Sequence, residues 1–503
     1  MKIRLKDIFS ENRIILLWCA ATAFLLLLLC SRSSFLYPCN DWNDANSYFT
    51  MGKGMMNGQI IYRDLYDQKG PYLYLVYGIA YLLCHDSFAG VFVFEIIAIT
   101  AFLYSCHKLM NLYCSKQLSI LLLPLLGAGI LSSKSFYWGG AAEEFCLPLL
   151  GFSFYYSVRY FKEQTDEIPA LKMILINGIL AGIIMQVKYT MLGFYFAWMA
   201  MMAFAFLAKK DFKGFFKGCF TFLGGMLLTA IPWLLFFGFN GALDDWYQCY
   251  IYNNVFLYSN LQEEGNGLFQ RIYDLAKILY WLILDNLSYF GFIIIGMLEL
   301  LLSFKVRWYE KINLLLLTSF LFVGIYVGGS VLPYYSIPLT VFAVLGFAFI
   351  GSILQRFLSE KALTKCLPAF MIITVVCGMV FSYTASMNSY FMKQDKDSYF
   401  LYRFKDIVLQ EENPTLLNIG CLDAGLYTVT EVVPTCRFFQ TNGIPFDEMF
   451  AEQERYVAEG ATQFVIARDD YPACIWDNYE LVGEEPYEWG GVHFTYYLFK
   501  KKS

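Results

Sequence analysis

Residues 14–37 read IILLWCAATAFLLLLLCSRSSFLY, and this stretch decides the class of fold. A membrane-spanning helix needs about 20 mostly apolar residues, and the run supplies them directly after the basic residues Lys2, Arg4, Lys6 and Arg13. No small-residue cleavage site follows the run. We therefore interpret it as a retained first transmembrane helix and not as a signal peptide.

Similar apolar runs continue along the chain as far as residue 386. They lie at residues 87–107, 117–133, 145–161, 171–187, 190–208, 217–239, 284–304, 312–329, 333–353 and 366–386. With the first run, they predict eleven transmembrane helices. The tyrosine-rich run at residues 71–84 is too short to cross, so we predict a juxtamembrane helix there. The composition, 58% hydrophobic and 16% charged, excludes a single water-soluble core.

The basic residues separate by side when the predicted helices alternate from a cytoplasmic N-terminus. The N-terminus and the inner loops then hold 19 Lys and Arg residues, whereas the outer loops hold eight. This is the bias that the positive-inside rule describes. The threading therefore predicts a multi-pass protein of the cell membrane with residues 391–503 outside the cytoplasm.

The C-terminal part differs in composition from the rest of the chain. Residues 391–503 contain 10 basic and 19 acidic residues and show the alternation of short strands. Strands are predicted near residues 415–420, 437–440, 463–467, 479–482 and 492–499, and helices at residues 424–433 and 447–460. We therefore predict two domains, a transmembrane domain over 1–390 and an extracytoplasmic α/β domain over 391–503. No basic patch indicates a nucleic-acid partner.

Ionisable side chains are concentrated in the predicted outer loop at residues 38–71. Asp44 is followed one helical turn later by Tyr48. A G-x-x-x-Y-R-D element then begins at Gly58, and a D-x-K-x-P element begins at Asp67 and opens an apolar helix. A solvated loop with ordinary charges is the alternative interpretation.

The order of these elements resembles the first periplasmic loop of GT-C membrane glycosyltransferases. The likeness is closest to the branch of the protein O-mannosyltransferases and the aminoarabinose-transferase-like proteins. That branch commonly has Asp-Glu and Lys-Pro-Pro where this chain has Asp44-Ala45 and Lys69-Gly70-Pro71. The resemblance implies an all-α polytopic membrane bundle with a small C-terminal α/β domain outside the cytoplasm.

Three later stretches follow the same order as in the family. Residues 137–144 read YWGGAAEE and resemble its acidic second outer loop. Residues 182–190 resemble its G-x-x-x-x-x-K-x-T element. Tyr334 and Tyr335, followed by Pro338, resemble the tyrosine-rich start of a late helix.

The resemblance implies an inverting transferase that uses a sugar linked to a polyprenyl phosphate. Such an enzyme needs a carboxylate to take the proton of the acceptor hydroxyl and cations to stabilise the departing phosphate. Asp44 is the predicted base. Lys69 is the predicted phosphate ligand, with Arg63, Lys188 and Arg271 as alternates on the same predicted side of the membrane.

Further side chains are predicted to complete the site. Glu143 and Glu144 either position the acceptor and act as a second acid, or favour a helix N-terminus through its dipole. The sequence does not choose between these two residues. Asp41 is expected to tune the base or to lie solvated in the loop. The residues predicted to line the substrate are Tyr48, Asp41, Tyr62, Asp67, Tyr334 and Tyr335.

The sequence predicts no metal site and no cofactor, because the three histidines are too dispersed for a zinc motif. Metal dependence is left open. The expected partners are the lipid bilayer, a polyprenyl-phosphate-linked sugar and a glycan, lipid or protein acceptor of the cell envelope. An envelope polysaccharide ligase or polymerase is one alternative function. A non-enzymatic flippase or transporter of lipid-linked sugars is another, although we find no clear internal repeat.

Overall fold

The protein divides into two compact units in the computed structural model, which describes residues 5–258, 267–444, 446–489 and 491–503. The helical unit comprises Met1–Ser31, Glu95–Pro232 and Gln262–Ser389. The mixed unit comprises Arg32–Phe94, Trp233–Leu261 and Tyr390–Ser503. The grouping places the first predicted outer loop and the C-terminal residues in one unit. The domain boundary near residue 390 stays a prediction.

Most of the chain before residue 386 is helical. In order, the helices are α1 (Leu5–Cys30), α2 (Asn43–Met56), α3 (Pro71–Leu83), α4 (Ala89–Met110), α5 (Lys116–Leu131), α6 (Ala142–Glu163), α7 (Leu171–Lys188), α8 (Leu192–Ala208), α9 (Phe212–Phe239), α10 (Leu243–Trp246), α11 (Leu268–Asp285), α12 (Leu287–Leu302), α13 (Trp308–Tyr326), α14 (Val344–Phe357) and α15 (Glu360–Ala385). A π-helical stretch, Tyr247–Tyr258, continues α10, and the 3₁₀ segments Tyr189–Met191 and Pro333–Ala343 precede α8 and α14. Each predicted apolar run overlaps one of these helices, and α3 is the predicted juxtamembrane helix.

Fewer helices have the length and apolarity of a membrane span than the eleven that the sequence predicts. Among the described residues, seven helices are long and apolar enough to cross a membrane, or eight if the bent pair α11 and α12 forms one span. Helix α5 has only 16 residues, and α7 and α8 count as one apolar stretch. Helix α6 carries two acidic residues in its first turn. The predicted count of eleven is therefore not confirmed.

Close helix packing holds the helical unit together. Helix α5 packs on α15, α8 packs on α13, and α12 packs on α14. The α12–α14 contact depends on small residues, since a Cβ atom on Gly296 or on Gly346 would collide with the backbone of the other helix. Small residues let helix backbones approach in this way in membrane proteins.

Two breaks interrupt the helices of this unit. The chain leaves the α7 helix at Lys188, whose backbone is extended with φ −155° and ψ 101°. Asn286 separates α11 from α12, and the two helices meet at a bend of 113°. In membrane proteins, helix breaks of this kind occur where the backbone is buried in protein or lines a water-filled cavity.

The mixed unit contains a four-stranded sheet near the C-terminus. Its elements after α15 are α16 (Phe400–Val408), β1 (Leu416–Ile419), α17 (Leu426–Thr430), α18 (Asp447–Ala458), β2 (Phe464–Arg468), α19 (Ile475–Asn478), β3 (Tyr479–Trp489) and β4 (Val492–Lys501). The strand order is β1-β2-β4-β3, with β1 parallel to β2 and β4 antiparallel to both neighbours. A small C-terminal α/β arrangement is thus present as predicted.

Two local predictions in this region are wrong. Residues 437–440 form no strand, because the carbonyl of Arg437 accepts from the backbone of Tyr66 at 2.9 Å while only Phe439 accepts from β1. The helix predicted over 424–433 shortens to α17. Gly425 and Glu431 flank α17 with positive φ values of 98° and 62°, which end the helical path at both sides.

Helix α2 packs on the C-terminal residues of the same unit through polar contacts. The Thr50 hydroxyl donates to Asp423 at 2.6 Å, and the Ser47 hydroxyl donates to Gln440 at 2.5 Å. Lys53 is fully buried, and its ammonium group donates to the carbonyl of Tyr427 at 2.6 Å. Burial lowers the pKa of Lys53 to about 7, although Asp423 and Glu431 act in the opposite direction.

The buried Lys53 predicts a pH-dependent stability. Above about pH 7 the folded chain loses the Lys53 proton, whereas the unfolded chain keeps it until near pH 10, so stability rises with pH in this window. We expect a rise in the free energy of unfolding of about 1 kcal/mol per pH unit between pH 8 and 10. Thermal unfolding across this range should show the rise in wild type and in the exposed control Lys393→Met. Lys53→Met should lose it, and an equal rise in Lys53→Met would contradict the assignment.

Candidate active site

The first predicted outer loop folds around a buried carboxyl group, that of Asp67. Its Oδ2 accepts the Tyr74 hydroxyl at 2.8 Å, and its Oδ1 accepts the Asn442 side-chain amide at 3.2 Å. Burial raises the pKa of Asp67, and the nearby Asp44 raises it further, while Lys69 and Tyr74 act in the opposite direction. Asp67 therefore lies within electrostatic reach of both the predicted base and the predicted phosphate ligand.

Lys69 is held in place by its backbone at the start of α3. Its N–H donates to the Tyr74 hydroxyl at 2.8 Å, and its carbonyl accepts the Tyr62 hydroxyl at 2.6 Å. Pro71 occupies the first turn of α3, where its missing N–H costs no hydrogen bond. The Lys69 ammonium lies 6.0 Å from the ring centroid of Tyr48. The backbone of this cation is thus fixed while its charged end remains close to α2.

Asp44 lies in the first turn of α2, and its side chain is half-buried. A carboxylate at this position is favoured by the positive end of the helix dipole. One turn later, Tyr48 is buried and packs edge-on against Tyr77 of α3 at 5.6 Å between ring centroids. The predicted site residues Asp44, Tyr48, Tyr62, Asp67 and Lys69 thus come together in the mixed unit; we call these five residues the first-loop cluster.

Arg63 lies apart from the contacts that hold the first-loop cluster. Its guanidinium donates to Asp64 at 2.8 Å and to the carbonyl of Asn240 at 2.9 Å. The side chain is 44% exposed. The loop thus gives Arg63 a surface ion pair.

Asp41 is buried in an ion pair and is not a solvated loop residue. It pairs with the guanidinium of Arg32, and the two side chains are only 6% and 3% exposed. Its Oδ2 also accepts the hydroxyl of Tyr487 at 2.6 Å. Arg32 in turn stacks over the ring of Phe391 at 4.4 Å. The expectation of a solvated Asp41 is wrong because the C-terminal aromatic residues enclose it.

The helical unit brings together a second group of predicted site residues. Lys188 forms an ion pair with Glu143 in the first turn of α6, and both side chains are largely buried. The ammonium lies 3.5 Å from the ring centroid of Tyr335 and 5.4 Å from that of Tyr334. The predicted tyrosine pair therefore surrounds the cation with aromatic faces, which favour positive charge.

The two acidic residues of this region differ in their contacts. Glu143 Oε2 is buried and accepts no hydrogen bond from a described residue. Glu144 Oε2 accepts the Gly140 N–H at 2.9 Å, whereas its Oε1 is buried and, like Glu143 Oε2, accepts no hydrogen bond from a described residue. Nearby in the unit, the Ser31 hydroxyl donates to the fully buried Glu95 at 2.8 Å. A buried carboxylate oxygen without a donor is costly, so the Glu143 position suits a ligand that supplies one.

Arg271, the last predicted phosphate ligand, is exposed in the first turn of α11. Among the described residues, no group of three or more His, Cys, Asp or Glu side chains is arranged to hold a metal ion.

Three solved structures share features of this fold. ArnT from Cupriavidus metallidurans bound to undecaprenyl phosphate has a TM-score of 0.61 and 11% identity, over 97% of this chain and 98% of that chain. Its apo state gives the same values. An Archaeoglobus fulgidus oligosaccharyltransferase in complex with Zn and sulfate has a TM-score of 0.48 and 15% identity, over 90% of this chain and 67% of that one.

The likeness to ArnT, a GT-C glycosyltransferase, confirms the predicted resemblance at the level of the fold. No family model matches the sequence, and no curated protein matches it.

The buried ion pair of Asp41 predicts a large loss of stability when it is broken. Asp41→Asn leaves the buried Arg32 guanidinium without its counter-charge, which should lower the free energy of unfolding by about 3–5 kcal/mol. Thermal unfolding of the purified protein measures the change. The exposed control Asp406→Asn should unfold like wild type. A wild-type melting temperature for Asp41→Asn would contradict the burial of this pair.

Proposed function

We propose that the protein is a glycosyltransferase that moves a sugar from a polyprenyl phosphate to an acceptor of the cell envelope. The observation that carries the proposal is the convergence of Asp44 and Lys69 on the buried Asp67. These residues were predicted from separate elements of the loop, and both act electrostatically on the Asp67 carboxyl group. The fold shared with ArnT and the apolar helices support a site at a membrane surface.

Asp44 supplies the base in this proposal. The acceptor hydroxyl gives its proton to the Asp44 carboxylate as its oxygen bonds to the anomeric carbon of the sugar. The bond from that carbon to the phosphate oxygen breaks, and the phosphate leaves with the electron pair. Direct attack of this kind inverts the anomeric configuration.

Lys69 stabilises the departing phosphate. Its backbone is fixed by Tyr62 and Tyr74, and its ammonium lies 6.0 Å from the ring centroid of Tyr48, so a positive charge lies beside α2, where it can meet the negative charge that develops on the phosphate. The neighbouring Asp67 carboxyl group is engaged by the Tyr74 hydroxyl and the Asn442 amide. Arg63 is engaged by Asp64, so we assign it no role in binding phosphate.

The helical unit contains the remaining predicted acidic and basic site residues. Glu143 Oε2 and Glu144 Oε1 are both buried and accept no hydrogen bond from a described residue, so either carboxyl group can position the acceptor or serve as the second acid. Lys188 is engaged by Glu143, so, as for Arg63, we assign it no role in binding phosphate. Arg271 remains a further candidate for contact with the phosphate.

We place the reaction on the outer face of the membrane, with the N-terminus inside and the C-terminal residues outside. The support for this orientation is the excess of 19 over eight basic residues on the predicted inner side. Residues 391–503, which hold 10 basic and 19 acidic residues, then lie on the side that is poor in basic residues.

A donor-cleavage assay tests the function. The full-length protein in liposomes is offered a panel of radiolabelled polyprenyl-phosphate sugars, and released polyprenyl phosphate is measured. Cleavage of one donor, with its sugar moved to an acceptor in envelope extract, is the expected result. Passage of intact donors across the membrane without cleavage would instead indicate the transporter.

The base is tested by Asp44→Asn. The amide keeps the size and polarity of the side chain but accepts no proton at neutral pH, so turnover should fall about 10²-fold or more while the donor still binds. The rate of donor cleavage measures the change. Asp406→Asn, an exposed substitution in the same unit, is the matched control. Wild-type turnover in Asp44→Asn would remove this residue from the mechanism.

The phosphate ligand is tested by Lys69→Met. Loss of one contact to developing charge should slow transfer about 10²–10³-fold, by analogy with the loss of an oxyanion donor. Arg63→Met removes a cation from the same loop and should keep near-wild-type turnover. The reverse pattern would move the phosphate contact to Arg63.

A further inference from the structure

A groove of about 440 Å³ lies in the helical unit, apart from the residues discussed so far. The C-terminal half of α11 forms one wall, and residues 329 and 331–333 form another. Lys134, which follows α5, also lines the groove. Its volume is in the range of pockets that hold small organic ligands.

The lining combines an aromatic surface with balanced charges. Trp281 is 55% exposed, so part of its indole ring is open to a ligand. Lys134 and Asp285 neutralise each other in an ion pair of 3.0 Å. Lys277 and Asp274, three residues apart on α11, also line the groove. The four charged side chains therefore sum to zero.

Lys277 and Asp274 retain hydrogen-bonding capacity. No described residue forms an ion pair with Lys277, and Asp274 uses Oδ1 to accept from Gln270 at 2.9 Å. A free donor and a free acceptor one turn apart suit a ligand whose groups both donate and accept. Hydroxyl groups have this property.

Hydrogen bonds hold the polar side chain of Asn286 in the lining of the groove. Asn286, which lines it, accepts at Oδ1 from the backbone and the hydroxyl of Ser135, at 3.0 and 2.8 Å. The Ser135 hydroxyl also contacts the hydroxyls of Ser336 and Tyr289, at 2.5 and 2.8 Å. Ser336 directly follows Tyr335, which packs on Lys188. The groove is thus connected within one unit to the Glu143–Lys188 pair.

We propose that this groove binds one or two neutral sugar rings of the acceptor. A sugar ring has an apolar C–H face that packs on an aromatic ring and a rim of hydroxyls that pair with acids, ammonium groups and amides. Trp281 supplies the aromatic face, and Lys277, Asp274 and Asn286 supply the polar partners. The assignment to the acceptor rests on the proposed function.

The charges argue against an anionic headgroup as the occupant. A phosphate in the groove would meet the ammonium of Lys277, but also the carboxylate of Asp274 one turn away. The Lys134 ammonium is already engaged by Asp285. A neutral polyhydroxyl ligand avoids this repulsion.

Saturation-transfer NMR on the full-length protein in nanodiscs tests the binding. The probes are methyl β-glucoside, methyl α-mannoside and chitobiose, with glycerophosphoglycerol as the anionic comparison. We expect transfer to the ring protons of at least one saccharide, with affinity reduced about fivefold in Trp281→Ala by loss of one aromatic contact. Trp308→Ala removes a tryptophan of similar exposure, 59%, outside the groove and should bind normally.

Transfer to no saccharide, or only to glycerophosphoglycerol, would overturn the proposal. Equal losses in Trp281→Ala and Trp308→Ala would also overturn it. Lys277→Met provides a second variant, on an exposed helix surface, that should weaken saccharide binding without unfolding the protein.

Donor cleavage separates the failure of this inference from that of the proposed function. Cleavage of the donor by water should be unchanged in Trp281→Ala, whereas transfer to envelope acceptor should fall. If wild type binds saccharides but cleaves no donor, the proposed function fails and the acceptor assignment with it. If wild type cleaves donor and Trp281→Ala transfers normally, only the groove assignment fails.

Discussion

The buried carboxyl group of Asp67 is the constraint on which the first-loop cluster depends. A buried carboxylate is costly unless its oxygens are paired, and here Tyr74 and Asn442 occupy them both. These partners come from α3 and from the C-terminal residues, more than 360 positions apart in sequence. The same Tyr74 hydroxyl fixes the backbone of Lys69, so the position of the cation follows from the burial of the acid.

Polar contacts of α2 hold the C-terminal residues against the first loop. Asp423 accepts one hydrogen bond from Thr50 and one, at 2.8 Å, from the backbone of Gly425. Both oxygens of this buried carboxyl group therefore have a donor. A shift in the packing of α2 would leave these groups without partners in a water-poor interior. Hydrogen bonds between buried polar groups favour an arrangement that pairs them over nearby alternatives that do not. Asp44, in the first turn of α2, is positioned by the same contacts.

The sequence predicted those parts of the structure that depend on local pattern. Each apolar run became a helix because about 20 apolar residues satisfy their own backbone only in that form. The break at Lys188 falls between the predicted runs 171–187 and 190–208, but the break at Asn286 lies inside the predicted run 284–304 and was missed, because packing decides its position. The strand predicted at residues 437–440 failed for a similar reason, since its backbone bonds to a distant loop.

The candidate site also contains residues that local spacing predicted and residues that it missed. Asp44, Asp67 and Lys69 lie within 26 residues, and their spacing was enough to predict them together. The buried charges Arg32, Lys53 and Asp423 were missed as structural groups, and of the two expectations for Asp41 the solvated one was wrong. Their environments come from residues such as Tyr427, Phe391 and Tyr487, hundreds of positions away. No local pattern predicts such an enclosure.

The most direct test of the account is a comparison of two lipids that differ only in the phosphate. Binding of undecaprenyl phosphate and of undecaprenol to the wild-type protein in nanodiscs can be measured by competition against a fluorescent polyprenyl phosphate. If a fixed cation meets the donor phosphate, undecaprenyl phosphate should bind at least about tenfold more tightly, the gain of one charge-assisted hydrogen bond. Equal affinity for the two lipids would contradict the account.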